Sequence, residues 1–146
     1  MSLRDTARTM SHENVEIVRA ANEAWSRGDW DGLRDTYDPD VVMRTVDEWP
    51  EAGPHFGRDA VLRFFEQLRA TWDINELETI SLTEAGDRVV GHYVLHGVGR
   101  GPDARIDVSN VVTLRRGRAI MIEYFWNHAD ALEAVGLSEQ NAHAGS

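Results

Sequence analysis

Residues 103–127, DARIDVSNVVTLRRGRAIMIEYFWN, constrain the fold more than any other stretch of the chain. They read as two long antiparallel strands joined at Arg116-Gly117. Strand side chains alternate between faces, so Ile106, Val108, Asn110, Val112 and Leu114 share one side of the first strand. Ile120, Ile122, Tyr124 and Trp126 share the matching side of the second. Asn110 is the only amide and Tyr124 the only phenol in these apolar rows, a pattern that predicts a greasy concavity with a few polar groups.

The chain before this hairpin supplies mostly helices. Ser11 is placed to cap a helix with an apolar stripe at Ile17, Val18, Ala21, Ala24 and Trp25, closed by Gly28. Asp29 then caps a short helix that carries Trp30, Leu33 and Tyr37 and is stopped by Pro39. A short strand over 41–46 puts Val41, Met43 and Thr45 on one face. The segment DEWPEAGPHFG is rich in Pro and Gly, which predicts a covering loop with Trp49 and His55 over the mouth of the concavity. The strongest helix signal spans 58–71, with Val61, Phe64, Phe65, Leu68 and then Trp72 on one side. Two further strands follow, 74–85 with an irregularity at Thr79 and 88–99 with Tyr93 facing inward, ahead of the hairpin. A closing helix is capped at Asn127 and ended by Gly136. Residues 1–10 show no periodicity and read as a flexible tail, 11–137 as one domain, and 138–146 as a second flexible tail.

An antiparallel sheet with helices packed on one side is an α+β layer fold. The segments GDWDGL, YDPDVV, FGRDAVLRFFEQ and ADALEAVGL, in that order around four strands, resemble the SnoaL-like, polyketide cyclase-like branch of the nuclear transport factor 2 superfamily. The resemblance implies a cone-shaped roll, a strongly bent antiparallel or mixed sheet wrapped around the N-terminal helices. It also implies a small-molecule pocket, without fixing an activity. Against the isomerases of that superfamily it puts Thr45 where the proton-abstracting carboxylate belongs, Ala21 where the oxyanion tyrosine belongs and Asn110 where the carboxylic acid belongs. A supporting tyrosine is kept as Tyr37, with Phe65 in place of its neighbour. Threonine cannot abstract that proton, so isomerase chemistry is not expected.

The expected pocket is lined by Trp25, Tyr37, Met43, Thr45, Trp49, His55, Phe65, Tyr93, Asn110, Ile122, Tyr124 and Trp126. The candidates for catalysis within it are Asn110, His55 and Tyr37, His55 because imidazole titrates near neutrality. The expected ligand is a small apolar molecule bearing a carbonyl or hydroxyl, bound without metal or organic cofactor. The expected function is small-molecule binding, extending to acid-base chemistry on an apolar cyclic substrate. The alternative is a non-catalytic dimeric interaction module whose aromatics fill their own hollow. His92 and His96 lie four residues apart on one strand, about 13 Å, too far to grip one zinc ion. They read as convex-face polar surface beside Arg105, Asp107 and Ser109.

Composition narrows the partners. There is no Cys and no Lys, so disulfides, thiolate nucleophiles and lysine Schiff bases are excluded, and the all-Arg basic set points to a bacterial origin. A net charge of −10 opposes nucleic-acid binding. No apolar run is long enough to span a membrane and no leader pattern opens the chain, so a cytoplasmic setting is expected. A homodimer through the convex face, with Val94, Val98 and Val111 as its apolar content, is expected as well.

Overall fold

A computed structural model of the chain describes residues 3–45 and 53–137, with side chains from residue 12 onward. Four helices and six strands follow the order α1 (Leu3–Arg27), α2 (Trp30–Thr36), β1 (Tyr37–Arg44), β2 (Pro54–Phe56), α3 (Arg58–Arg69), β3 (Ile74–Ala85), β4 (Arg88–Val98), β5 (Ala104–Arg115), β6 (Arg118–Phe125) and α4 (His128–Ala134). The strands form one mixed sheet, β2-β1-β6-β5-β4-β3. All neighbours are antiparallel except β1 and β6. The sheet does not close on itself. It wraps around α1, α2 and α3, the α+β cone that the resemblance implies.

The bend has a sequence cause. Ile80 is an extra residue between the pairs Thr79↔Tyr93 and Ser81↔His92, and Ile120 is extra between Leu114↔Ala119 and Thr113↔Met121. Such bulges increase local twist and turn the strand. The irregularity at Thr79 is therefore where the sequence places it. The one at Ile120 departs from strict alternation and takes Ile120 out of the inward row, so that Ala119, Ile122 and Tyr124 form that row instead.

Three boundaries differ from expectation. Helix α1 begins at Leu3 and not at Ser11; residues 3–10 hold no Gly or Pro, and a helix stabilised downstream propagates cheaply through such residues. Tyr37 does not close α2 but opens β1, with extended backbone (φ −99°, ψ 136°) and Ala119 as its partner. Part of the expected covering loop is a strand, since β2 adds to the edge of β1 with Met43 opposite His55. The remainder of that loop, with Trp49, and the C-terminal stretch from residue 138 lie outside the described residues.

The helical layer is tied together at its C-terminal ends. The Arg69 guanidinium donates to the Trp25 carbonyl at 2.6 Å, which also accepts from the Gly28 amide, and to the Ser26 carbonyl at 3.1 Å, both in the last turn of α1. It also lies over the rings of Trp25 (5.3 Å) and Trp30 (6.0 Å). Ser26 Oγ accepts from the Leu77 amide, and Asn75 Nδ2 donates to the Arg69 carbonyl, so one knot joins α1, α3 and β3. Arg69→Met keeps the stem and removes these charged bonds; it should cost about 1.5–3 kcal/mol. Urea unfolding with an unchanged slope would read that loss.

Candidate functional site

The inward face of the sheet and the helices above it enclose a hollow lined by twenty-two of the described residues. The cavity volume is about 90 Å³. Its walls are apolar for the most part, from Val18, Trp25 and Leu33 on the helices to Leu95, Val112 and Ile122 on the sheet.

Across this apolar floor runs one polar row. Gly91 faces Asn110, Asn110 faces Tyr124, and Thr45 follows Arg44, which is level with Glu123 in the next strand. Tyr93 joins the row by folding back along its own strand, so that its hydroxyl occupies the space over Gly91; a Cβ at Gly91 would overlap the phenol. Glycine is required there by close approach, not by backbone angle. Tyr93, Asn110, Tyr124 and Thr45 thus stand side by side on β4, β5, β6 and the end of β1, and all four line the hollow. Asn22 of α1 comes down on the same group from above, beside Tyr93. Sequence reasoning passed over Asn22, although its position four residues after Val18 puts it on the edge of the buried stripe.

The polar groups here are under-satisfied. Asn110 Oδ1, the Tyr93 hydroxyl, Asn22 Nδ2, Trp25 Nε1 and Thr45 Oγ1 are all buried and none has a hydrogen-bond partner. Asn22 and Asn110 lie near enough to Tyr93 to favour its ionised form slightly, yet neither makes a bond of good geometry to it. Burial is the larger influence and pushes the Tyr93 phenol up to about 12. Burial, reinforced by Tyr124 and Tyr93, holds Tyr37 well above the usual phenol value. Burial and Tyr93 do the same to Tyr124, opposed by Asn110.

Of the pocket residues expected from sequence, Trp25, Tyr37, Thr45, Phe65, Tyr93, Asn110, Ile122 and Tyr124 line the hollow. Met43, His55 and Trp126 do not. Met43 is buried in the core of the same sheet face. His55 sits on the edge strand with its ring 4.9 Å from that of Phe64. Trp126 is 41% exposed, because β6 ends at Phe125 and Asn127 already caps α4 through its bond to the Ala129 amide. Among the described residues, no wall of the hollow carries a carboxylate, an imidazole or a guanidinium. Thr45, Ala21 and Asn110 do face the hollow, but they bring no base with them.

The opposite, convex face carries the histidines. His92 pairs with Asp107 at 2.9 Å and His96 with Glu78 at 3.0 Å. His92 also stacks on His128 at 4.7 Å, and His128 Nδ1 lies 3.2 Å from Ser109 Oγ. Among the described residues no three metal-ligating groups gather, and no helix is long and apolar enough to cross a membrane.

A bent sheet around a helical layer, with a hollow between them, is the nuclear transport factor 2-like fold. The SnoaL-like domain family matches residues 18–122, and the chain belongs to that family. The structure is similar to that of Bal32a from a soil-derived mobile gene cassette, with TM-score 0.74 and 22% identity over 80% of this chain and 90% of that one. It is similar to an NTF2-like protein of unknown function from Burkholderia pseudomallei, with TM-score 0.70 and 23% identity over 85% and 98%. TerC, co-crystallised with polyporic acid, matches with TM-score 0.69 and 22% identity over 84% and 98%. At these identities the likeness is one of fold. No curated protein matches the chain.

All three tyrosines of the chain stand in this hollow. Because burial raises their folded pKa values, they contribute stability that is complete below the unfolded value near 10 and is lost as pH rises through the folded values. Absorbance at 295 nm should therefore show no tyrosinate near pH 10 in the native protein. Ionisation should appear only toward pH 12 and together with unfolding.

Proposed function

We propose that the chain binds a small, uncharged, largely apolar molecule in the hollow, holding its polar group at the row of Tyr93, Asn110, Tyr124 and Thr45. The observation that carries this reading is the convergence of unpartnered neutral polar atoms in an otherwise apolar space. Buried polar groups are normally bonded, and a site of a few polar groups in an apolar concavity is the usual form of a ligand pocket. Charge selection follows from the walls: an ion entering the hollow would lose water and meet no counter-charge among the described residues. The protonated phenols serve as donors at neutral pH, so the site is fitted to orient or polarise a ligand oxygen, whereas proton abstraction has no described base to perform it. The co-crystallisation of TerC with polyporic acid supports a small-molecule role for the shared fold.

Asn110→Leu removes the amide at similar volume. It should weaken 2-naphthol binding about tenfold to a hundredfold by calorimetric titration, a loss of about 1–3 kcal/mol, with little change in stability. A variant that loses several kcal/mol of stability and no affinity would make Asn110 a structural amide.

Homodimerisation through the outer sheet face belongs to the same proposal, with a changed contact set. Val94 and Val111 are buried within the chain, and α4 covers Val111 with Ala131 and Leu132, so they are not free to meet a partner. The outward pair Ile74 and Val98, 62% and 40% exposed and opposite each other on β3 and β4, takes their place with Ile80. Sedimentation equilibrium at tens of micromolar should give twice 16.5 kDa, and Ile74→Glu with Val98→Glu should give the monomer. Wild-type protein that sediments as a monomer would reject the dimer.

A further inference from the structure

The unpartnered atoms of the row are not all of one kind, and this deepens the binding reading, on which it rests. Asn110 Oδ1 can only accept, Asn22 Nδ2 and Trp25 Nε1 can only donate, and the Tyr93 and Thr45 hydroxyls can do either. A ketone or ether oxygen entering the hollow would satisfy donors only and would leave the Asn110 oxygen dependent on the row's own hydroxyls for a proton. We propose that the molecule taken by this hollow carries a hydroxyl, which donates to Asn110 Oδ1 while its oxygen accepts from Tyr93 or Asn22. The row makes this specific: Asn110 is directly opposite Gly91, whose missing side chain brings the Tyr93 hydroxyl alongside the amide. Donor and acceptor are therefore presented next to each other at one place, the arrangement that a single hydroxyl completes. Turning the Asn110 amide end for end exchanges its donor for its acceptor within the same group and leaves both kinds in the row. Sites built to bond a hydroxyl discriminate strongly against analogues that lack it, because the site's own groups are left unpaired.

Three probes of one frame test this. 2-Naphthol donates and accepts, 2-methoxynaphthalene only accepts, and naphthalene does neither. Titration calorimetry on the full chain should give 2-naphthol an advantage of about tenfold or more over 2-methoxynaphthalene, with the ether close to naphthalene. Asn110→Leu should remove that advantage by weakening 2-naphthol alone. Tyr93→Phe, which keeps the ring, should reduce it as well and provides the second measurement if Asn110→Leu does not fold. Equal binding of all three probes would overturn the hydroxyl inference and leave the apolar pocket standing. Binding of the ether as tight as 2-naphthol, with naphthalene weaker, would overturn it in favour of an acceptor-only ligand. Failure of all three to bind would overturn the pocket reading, and this inference with it.

Discussion

The bend of the sheet is the constraint on which the rest of the structure depends. A flat sheet of these strands would bury its apolar face evenly against α1 and α3 and leave no space. Two inserted residues, Ile80 on β3 and Ile120 on β6, prevent that by turning the strands so that the inner face becomes concave. The helices then cover the concavity without filling it. Ala21 contributes to this from the helix and Ala119 from the sheet, since both line the hollow with a single methyl group. Close packing is the norm in protein interiors, so a hollow of this size bordered by small residues is built by the chain.

Inside that space the energetics are those of neutral polar groups in dry surroundings. Leaving a buried donor or acceptor unpaired costs about 1–3 kcal/mol, and the hollow has several such groups in contact with one another's surroundings. The knot at Arg69 and the interlocked core of α1, α3 and the sheet supply the stability that lets the row persist. The same dryness explains why the phenols stay protonated: ionising Tyr37 or Tyr124 would place a charge beside another phenol in a space without counter-charge among the described residues. On the proposed binding reading the hollow sorts ligands by shape and by hydrogen-bond polarity, since among the described residues its walls carry no charge.

The two faces of the sheet divide the chain's polar chemistry. The histidines of β4 lie outside, where His92 and His96 each meet a carboxylate. The inward positions of the same strands hold Tyr93 and Asn110. Alternation alone enforces this separation, and it is the reason that a histidine-rich strand contributes no imidazole to the hollow. Helix α4, capped at Asn127, packs Ala131 and Leu132 on Val90 and Val111 and so withdraws part of the outer face from solvent.

Period-two alternation along β4 and β5 was enough to assign Tyr93, Asn110 and Val112 to the inner face, and helix spacing was enough for Trp25 and Phe65. These assignments depend only on local geometry, which a short window of residues contains. The family was also legible, because the order of its helix caps, turns and strands is written in the chain itself. What alternation could not supply was any break in its own rhythm: the bulge at Ile120, the end of β6 before Trp126, and the pairing that turned the segment around His55 into an edge strand. Each of these is decided by a pairing or a capping contact that alternation within one strand does not contain. The juxtaposition of the Tyr93 hydroxyl with Asn110 over Gly91, and the descent of Asn22 upon it, belong to the same class. The sequence by itself determined which side chains face inward. Only the tertiary structure decided which of them meet, because register and curvature arise from pairings between strands, and the polar row exists only across those pairings.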